Sequence, residues 1–358
     1  MTRLHLDQDV VAITRDLCDL DTVSDNEAHL ADAIEVALGE HPHLAVTRHG
    51  DTVVARTALG RPTRVVIAGH IDTVPINGNV PTRLLDGQDG PVVWGRGSVD
   101  MKAGVAVQLK LAAELAEPVA DVTWIWYDHE EVGEDLNGLN RLLQSRPDLL
   151  EGDFAILGEP TAAGIEGGCN GNLRAEVRTF GRRSHSARSW VGVNAIHLAA
   201  PILDRLAAYE AASVEVDGLV YREGLNAVGI TGGVAGNVIP DECMVHVNFR
   251  FAPDRTEEQA VAHVRKIFEG FEVAIVDLAG GARPGLDAPA AQAFVRAVGA
   301  TPKPKYGWTD VARFARLGVP AVNYGPGDPL LAHADDEQVP TAQILAVEQG
   351  LRAWLTGA

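Results

Sequence analysis

Features that would assign the chain to a class at once are mostly missing from its sequence. It has three scattered cysteines, Cys18, Cys169 and Cys243, with no Cys-x-x-Cys pair, which excludes a disulfide framework and a thiolate zinc site. There is no run of about 18 apolar residues and no apolar signal-peptide core near the start. We therefore expect a cytoplasmic protein without membrane segments, in which any metal is bound by histidine and carboxylate side chains.

Basic residues are scarce relative to acidic ones. Asp and Glu together number 49 against 30 Lys and Arg, which gives a formal net charge of −19 over 358 residues. Such an excess works against binding to nucleic-acid phosphates and anionic membranes, so neither is an expected partner. With 46% hydrophobic residues the chain can bury a large core. Its length favours two domains, and we expect a small molecule as the partner.

The stretch Val92–Gly104 (VVWGRGSVDMKAG) places one carboxylate, Asp100, among glycines just before an apolar helix. Glycines in such a loop allow the backbone to come close to a ligand. Asp100 occupies the position where a dinucleotide-binding fingerprint has its third glycine, and no Gly-Lys-Ser/Thr follows to form a phosphate-binding loop. We therefore interpret Asp100 as a metal ligand at the centre of the active site.

Three apolar segments predict buried parallel strands that alternate with helices. They are Val65–Ala68, Val122–Tyr127 and Phe154–Leu157, and each runs into acidic or histidine residues at its C-terminal end. Before them, Ser24 and Glu27 predict a capping box at the start of a helix. The pattern indicates an α/β fold with a mixed, largely parallel sheet flanked by helices, whose ligands gather at the strand ends.

The segment between two glycine pairs, Gly167-Gly168 and Gly280-Gly281, has a different pattern of apolar and polar residues. Alternating strands and two helices, one of them predicted over Asn194–Tyr209, indicate a compact α+β insertion. The α/β pattern then resumes. We therefore expect a catalytic domain made of residues 1–168 and 284–358, interrupted by an inserted domain of residues 169–283.

His70 and Asp72 lie two residues apart at the end of a predicted strand. Alternate residues of a strand share one face, so Asp72 can orient the imidazole of His70 while His70 binds a metal. The plainer alternative is a histidine at a strand end whose polar atoms are satisfied by its neighbour.

Glu130 and Glu131 are adjacent, so their side chains diverge. One of them can bind a metal while the other acts as a base near a bound water. A solvated acidic loop would have the same composition. The segment does not form an HExxH zinc motif with His129, because Gly133 occupies the position of the second histidine.

Two further residues complete a set of oxygen and nitrogen ligands. Glu159 directly follows a buried strand, although a helix cap would have the same position. His333 lies in a glycine- and proline-rich region after the last strand, where a lone histidine is ordinarily a surface residue. Combined with His70, Asp100 and Glu131, they suit a pair of zinc-like ions bridged by a carboxylate.

The order of these motifs resembles the signature of the M20 family of co-catalytic zinc peptidases and deacylases. The matching segments are GHIDTVP at 69–75, GRGSVDMKAG at 95–104, Glu130-Glu131, Gly158-Glu159-Pro160 and His333. The resemblance implies two zinc ions per chain, with Co²⁺ able to substitute, and a cis peptide bond after Asp100. It also implies a role for each residue: a first zinc at His70 and Glu159, a second at Glu131 and His333, a bridge through Asp100, an orienting Asp72 and a general base at Glu130.

In the same family the inserted domain forms a homodimer and contributes substrate contacts. The resemblance implies that His185 reaches the partner subunit's active site as an oxyanion donor, and that Asn237 and Arg250 bind a substrate carboxylate. The plainer alternatives are a strand-end turn and an arginine at the edge of a core. Gly307 and Thr309 are further expected substrate contacts.

Within the family, the segments Tyr306–Asp310 and Asn323–Asp328 are most similar to enzymes that act on N-succinyl-L,L-2,6-diaminopimelate. The expected reaction hydrolyses the N-succinyl amide to give succinate and L,L-diaminopimelate, for lysine and cell-wall synthesis. Arg313 departs from the common family pattern by one residue. Other activities of the family, such as acetylornithine deacetylase, aminoacylase or dipeptidase activity, are alternatives, as is a non-catalytic metal-dependent binding protein on the same scaffold.

Overall fold

The chain forms two compact units in the structure, which is a computed structural model and describes residues 3–357. The first unit consists of the chain up to Gly167, Pro284–Lys303 and the chain from Arg313 onward. The second unit consists of Gly168–Arg283 and Pro304–Ala312. The second unit thus contains the segment expected as an insertion together with Gly168 and Pro304–Ala312, which the sequence places in the catalytic domain.

Both units contain strands and helices, numbered here in chain order. The strands are β1 (Ala45–His49), β2 (Thr52–Arg56), β3 (Arg64–His70), β4 (Arg83–Gly87), β5 (Gly90–Trp94), β6 (Asp121–Tyr127), β7 (Phe154–Leu157), β8 (Glu166–Gly167), β9 (Gly171–Phe180), β10 (Ser184–His185), β11 (Ser213–Val216), β12 (Leu219–Arg222), β13 (Gly224–Gly232), β14 (Val238–Ile239), β15 (Glu242–Phe251), β16 (Glu272–Ala279), β17 (Lys303–Pro304), β18 (Ala321–Asn323) and β19 (Gln338–Pro340).

The α-helices alternate with these strands in most of the chain. They are α1 (Val10–Cys18), α2 (Ala28–Gly39), α3 (Lys102–Glu114), α4 (Gly138–Ser145), α5 (Ala195–Leu198), α6 (Ala200–Ala207), α7 (Glu257–Ile267), α8 (Pro289–Val298), α9 (Val311–Arg316) and α10 (Thr341–Thr356). Short 3-10 segments lie at Pro147–Leu149, Ser186–Val191 and Pro329–Leu331. Across residues 3–357, none of the helices has both the length and the apolar character needed to cross a lipid bilayer.

An eight-stranded mixed sheet organises the first unit, in the order β1-β2-β6-β3-β7-β18-β8-β17. Its central strands β6, β3, β7 and β18 are parallel, while β1, β2 and β8 pair antiparallel toward the edges. The central strands are almost entirely buried, as their near-continuous apolar sequences predict. The core includes residues of α1, α2, α3, α8 and α10. The predicted fold class, a mixed and largely parallel sheet flanked by helices, is therefore confirmed.

Helix α3 is buried along nearly its whole length, and its small residues allow close packing. A Cβ atom added to Gly104 would lie 2.4 Å from the carbonyl oxygen of Gly158, so only glycine permits this approach. The loop before α3 turns at Gly97, whose φ of +79° is in the left-handed region that favours glycine. These glycines bring the Asp100 loop next to the end of β7.

The predicted capping box at the start of α2 is wrong. The helix begins at Ala28, and its N-cap residue Glu27 makes no side-chain capping hydrogen bond. Ser24 instead donates from Oγ to Asp72 Oδ2 at 2.8 Å. The hydroxyl proton is therefore donated to an ionised carboxylate, which gives a charge-assisted and stronger hydrogen bond.

A four-stranded antiparallel sheet, in the order β13-β15-β9-β16, organises the second unit. The apolar alternate residues of β9 and β15 pack with α5, α6 and α7. The single helix predicted over Asn194–Tyr209 is wrong, because α5 and α6 are separate helices that meet at Ala199. Pro201 lies in the first turn of α6. Since proline has no N–H to donate, it favours the start of a helix over the interior of one.

Candidate metal centre

Strands β3, β6 and β7 are neighbours in the first unit and end at the same edge of the sheet. β3 ends at His70, which is paired with Tyr127 of β6. The ladder between β3 and β7 continues to Gly158, whose N–H donates to the Ala68 carbonyl oxygen at 3.0 Å. Glu159 comes next and is buried. His70 and Glu159 therefore have matching positions at adjacent strand ends.

Asp100 directs each of its two carboxylate oxygens toward a different histidine. Oδ1 lies 3.0 Å from His70 Nε2, and Oδ2 lies 3.4 Å from His333 Nε2. His333 Nε2 also lies 3.0 Å from Oε2 of Glu131. One ligand atom each from His70, Asp100 and Glu131 lies within 4.8 Å of the other two. The peptide bond between Asp100 and Met101 is cis, as the family resemblance implies.

The carboxylate of Asp72 is fully buried and accepts hydrogen bonds from the backbone of Glu130 and Glu131. Its Oδ1 accepts from the Glu130 N–H at 3.0 Å, and its Oδ2 accepts from the Glu131 N–H at 3.1 Å. Oδ2 also accepts the hydrogen bond from Ser24 described above. Asp72 therefore positions the turn that carries both glutamates.

The imidazole of His70 is oriented from its other nitrogen. Nδ1 lies 3.1 Å from the Asp72 carbonyl oxygen and 3.5 Å from Asp72 Oδ1. With a proton on Nδ1 donated to this residue, Nε2 is the ring atom that can bind a metal. The backbone carbonyl oxygen of Asp72 is therefore closer to the His70 ring than its carboxylate is.

The electrostatics of the cluster favour positive charge between its carboxylates. Burial opposes protonation of His70, but hydrogen bonds with Asp100 and Asp72 raise its pKa well above the usual value. Hydrogen bonds with Asp100 and Glu131 raise the pKa of His333 to about 10. Burial disfavours the charged form of Asp100, yet its two histidine neighbours lower its pKa. A divalent cation would supply the same positive charge in place of these protons.

The donor set fits a pair of zinc-like ions. Imidazole nitrogens and carboxylate oxygens are zinc ligands when thiolates are missing from a site. Paired catalytic ions lie about 3.5 to 4 Å apart, a separation that one carboxylate can bridge. Asp100 has the arrangement of such a bridge, because its two oxygens face His70 and His333 respectively.

Three residues beside this cluster are not evident from the sequence: Ser24, Arg96 and Glu337. Ser24 matches a capping pattern, which hides its contact with Asp72. Glu337 ends an acidic run that has the composition of a solvated loop. In the structure Glu337 is buried and accepts a hydrogen bond from the Asp100 N–H at 3.1 Å. No periodicity or spacing in the sequence indicates these contacts.

His185 and Asn237 lie side by side in the second unit. Strand β10, which contains His185, pairs with β14, and the Ser186 N–H donates to the Asn237 carbonyl oxygen at 2.9 Å. The Nδ1 atom of His185 accepts from the Ala187 N–H at 3.0 Å. The neutral ring therefore carries its proton on Nε2, which suits donation of a hydrogen bond to an oxyanion.

Arg250 is half-buried on β15, where it is paired with Gly224 on one side and Asn172 on the other. Among residues 3–357, no carboxylate lies within 4.0 Å of its guanidinium group. Burial and the nearby charge of Arg174 lower the pKa of Arg250. A half-buried guanidinium group that has no carboxylate within ion-pair distance in the described part of the chain is suited to bind a substrate carboxylate through paired hydrogen bonds.

The remaining predicted contacts differ in their exposure. Gly307 is exposed and Thr309 is 6% exposed, both in the part of the chain that packs with the second unit. The Thr309 carbonyl oxygen accepts from the Ala312 N–H at 3.1 Å. In the first unit Arg313 is 2% exposed and lies 3.0 Å from a carboxylate oxygen of Glu134. A substrate contact from Gly307 or Thr309 stays a prediction.

Histidines and carboxylates surround Asp100, whose two oxygens contact different histidines, at the C-terminal edge of an α/β sheet. This is the arrangement of a metal-dependent hydrolase. The chain belongs to the peptidase family M20/M25/M40, whose family model matches residues 66–356. The resemblance seen in the motifs is therefore confirmed over most of the chain.

Known relatives match the chain over nearly its full length. It is 52% identical over 357 residues to the "putative succinyl-diaminopimelate desuccinylase DapE" of Mycobacterium tuberculosis, covering 99% of this chain and 100% of that protein. It is 47% identical over 364 residues to the succinyl-diaminopimelate desuccinylase of Corynebacterium glutamicum, covering 99% and 98%. Its fold is similar to that of a Bacillus subtilis dinuclear metal-binding peptidase of the M20 family, with a TM-score of 0.71, 17% identity and coverage of 97% and 96%.

Proposed function

We propose that this chain is a two-zinc amidohydrolase that cleaves N-succinyl-L,L-2,6-diaminopimelate to succinate and L,L-diaminopimelate. The observation that carries the reaction class is the position of Asp100, with one oxygen toward His70 and the other toward His333. The substrate is inferred from the two desuccinylase relatives, which are 52% and 47% identical over nearly the whole chain. The dinuclear description of the B. subtilis peptidase supports a pair of ions.

In this proposal each ligand has one place. The first zinc would be held by His70 and Glu159, the second by Glu131 and His333, with Asp100 as the bridge. When bound, the ions would polarise the amide carbonyl and lower the pKa of an attacking water.

Glu130 is the proposed general base. The hydrogen bond from its N–H to Asp72 fixes the backbone from which its side chain extends, directly beside the ligand Glu131. Glu130 would take a proton from the attacking water and give it to the leaving amine nitrogen, so that the C–N bond breaks without releasing an amide anion.

The second unit would supply substrate contacts. Arg250 would bind a carboxylate of the succinyl or diaminopimelate part, and Asn237 would assist it. His185 would donate from Nε2 to the oxyanion in the partner subunit's active site. All three assignments rest on the local geometry of the second unit and on the family resemblance.

Exposed apolar residues on the second unit support the proposed homodimer. β13 is an edge strand of its sheet, and its Val228 and Ile230 are 66% and 50% exposed. Trp190, which follows the His185 turn, is 77% exposed. A long apolar edge strand is a template for pairing with another chain, and a second copy of this chain is the proposed partner.

A substrate panel with a metal count tests this proposal. The purified protein would be assayed on succinyl-diaminopimelate, acetylornithine, an N-acyl amino acid and dipeptides, while bound metal is measured per chain. We expect two ions and the highest kcat/KM on succinyl-diaminopimelate. Preference for another substrate would refute the substrate assignment, and tight binding of all of them without turnover would favour a binding protein.

A further inference from the structure

A buried carboxylate outside the proposed ligand set lies within the loop that carries Asp100. Glu337 is 1% exposed, and its Oε1 accepts from the Val99 N–H at 2.8 Å and from the Asp100 N–H at 3.1 Å. Its Oε2 accepts from Arg96 Nη1 at 2.8 Å, and Arg96 is 3% exposed. A buried ion pair thus holds the backbone of the bridging aspartate itself.

The same pair also holds the segment that carries His333. Glu337 belongs to that segment, and its carbonyl oxygen accepts from the Gly95 N–H at 3.0 Å. Arg96 Nη1 donates to the Ala334 carbonyl oxygen at 3.2 Å as well. The Asp100 loop and the His333 segment are therefore joined by two side chains that reach in opposite directions.

His333 depends on such contacts more than the other ligands do. Its side chain is 53% exposed, and its φ of +66° is in the left-handed region that residues other than glycine seldom adopt. Backbone in that region persists when the surrounding structure determines it. By contrast, His70 lies on a buried strand whose ladder fixes it independently.

We propose that Glu337 and Arg96 are positioning residues that hold Asp100 and His333 in the geometry needed to bind the metal pair. This inference rests on the proposed two-metal function. Partners that orient metal ligands contribute about 10- to 100-fold to metal affinity, so loss of this pair should weaken metal binding in a protein that still folds.

The test compares Glu337→Gln with wild-type protein in zinc titrations against a competing chelator. Glutamine keeps the size of the side chain but has one acceptor oxygen, so one of the two sets of donors loses its partner. We expect at least one of the two ions to bind about 10- to 100-fold more weakly. Asp336→Asn, an equal change of charge at the exposed neighbouring position, should leave both affinities unchanged.

Circular dichroism and the thermal midpoint would show whether the variant is folded. Folded Glu337→Gln with wild-type affinity for both ions would overturn the proposal, even if its thermal midpoint fell. Should Glu337→Gln fail to fold, Arg96→Lys is measured in the same way, because a lysine keeps the charge but cannot donate to Glu337 and the Ala334 carbonyl in the same planar geometry. Weaker binding would support the proposal, and unchanged binding would overturn it.

The result for the Glu337 and Arg96 variants can be distinguished from the result for the proposed reaction. A wild-type protein that binds one ion, or that does not cleave succinyl-diaminopimelate, would contradict the proposed function. The positioning role is judged only from the difference in metal affinity between each variant and wild type.

Discussion

The substitution Asp72→Asn tests how the cluster is held together. The Asp72 carboxylate accepts three hydrogen bonds, from the N–H groups of Glu130 and Glu131 and from the Ser24 hydroxyl, at 3.0, 3.1 and 2.8 Å. Asparagine has the same shape but one acceptor oxygen, so its NH₂ group must face at least one of these donors. That donor is left buried without an acceptor.

The magnitude follows from these contacts. An unsatisfied buried donor costs about 1 to 3 kcal/mol, and the bonds that remain lose about half their strength when the acceptor is neutral. Together these losses amount to about 3 kcal/mol. If this free energy is lost because the turn that carries Glu130 and Glu131 is displaced, kcat/KM should fall roughly 100-fold. Ser24→Ala removes one bond at a half-buried position and should lower kcat/KM by about 5-fold, equivalent to about 1 kcal/mol.

The assay is steady-state hydrolysis of succinyl-diaminopimelate at saturating zinc, with bound metal counted in the same samples. Asp86→Asn, an exposed change of the same kind, is the control and should behave as wild type. If Asp72→Asn carries two ions and keeps kcat/KM within about 3-fold of wild type, the positioning role derived from these hydrogen bonds is wrong.

Glu130, His333 and Arg250 each allow a further test. Glu130→Gln should still bind two ions but should lose about 100- to 10,000-fold in kcat. Asp135→Asn, a change at an exposed position, should keep the wild-type kcat. Unchanged turnover by Glu130→Gln would show that Glu130 is not the base. Hydrogen bonds to carboxylates raise the pKa of His333 from 6.5 to about 10, so the stability they give the metal-free fold is fully present below pH 6.5 and is lost toward pH 10. Zinc must displace this proton, so its affinity, measured with a chelator, should rise with pH up to about 10, and a flat profile would contradict the assignment. Arg250→Lys should lower kcat/KM by about 10-fold with an unchanged thermal midpoint, because a bidentate contact with a carboxylate is lost, whereas the exposed Arg222→Lys should have no effect.

The motifs predicted much of the first unit. Each of its candidate metal ligands lies in, or directly after, a segment with a local sequence signal. Apolar runs predicted β3, β6 and β7, and the residues after them are those that the sheet brings to one edge. A continuous apolar run carries this information, because a parallel strand that is buried on both faces needs apolar residues at nearly every position. The capping box before α2 failed for a related reason, since a local pattern cannot show that the Ser24 hydroxyl has a buried carboxylate within reach.

The insertion was less well predicted in its details. The sequence pattern of a helix ran through Ala199, and the break became evident only where α6 begins with Pro201 in its first turn. The nine residues Pro304–Ala312 belong to the second unit by their contacts and carry no sequence signal of that membership. Such membership depends on packing between segments that are distant in the chain.

By itself the sequence determined the fold class, the family, and a set of histidines and carboxylates of the right chemistry, because apolar runs and short motifs are local properties. Only the tertiary structure decided that one Asp100 oxygen contacts His70 and the other contacts His333. These residues lie 30 and 233 positions away from Asp100 in the chain. It also decided that Glu337, in an acidic run with the composition of a surface loop, is buried against the Asp100 backbone. The physical reason is that burial and hydrogen-bond partners are properties of the assembled fold, which no stretch of sequence contains.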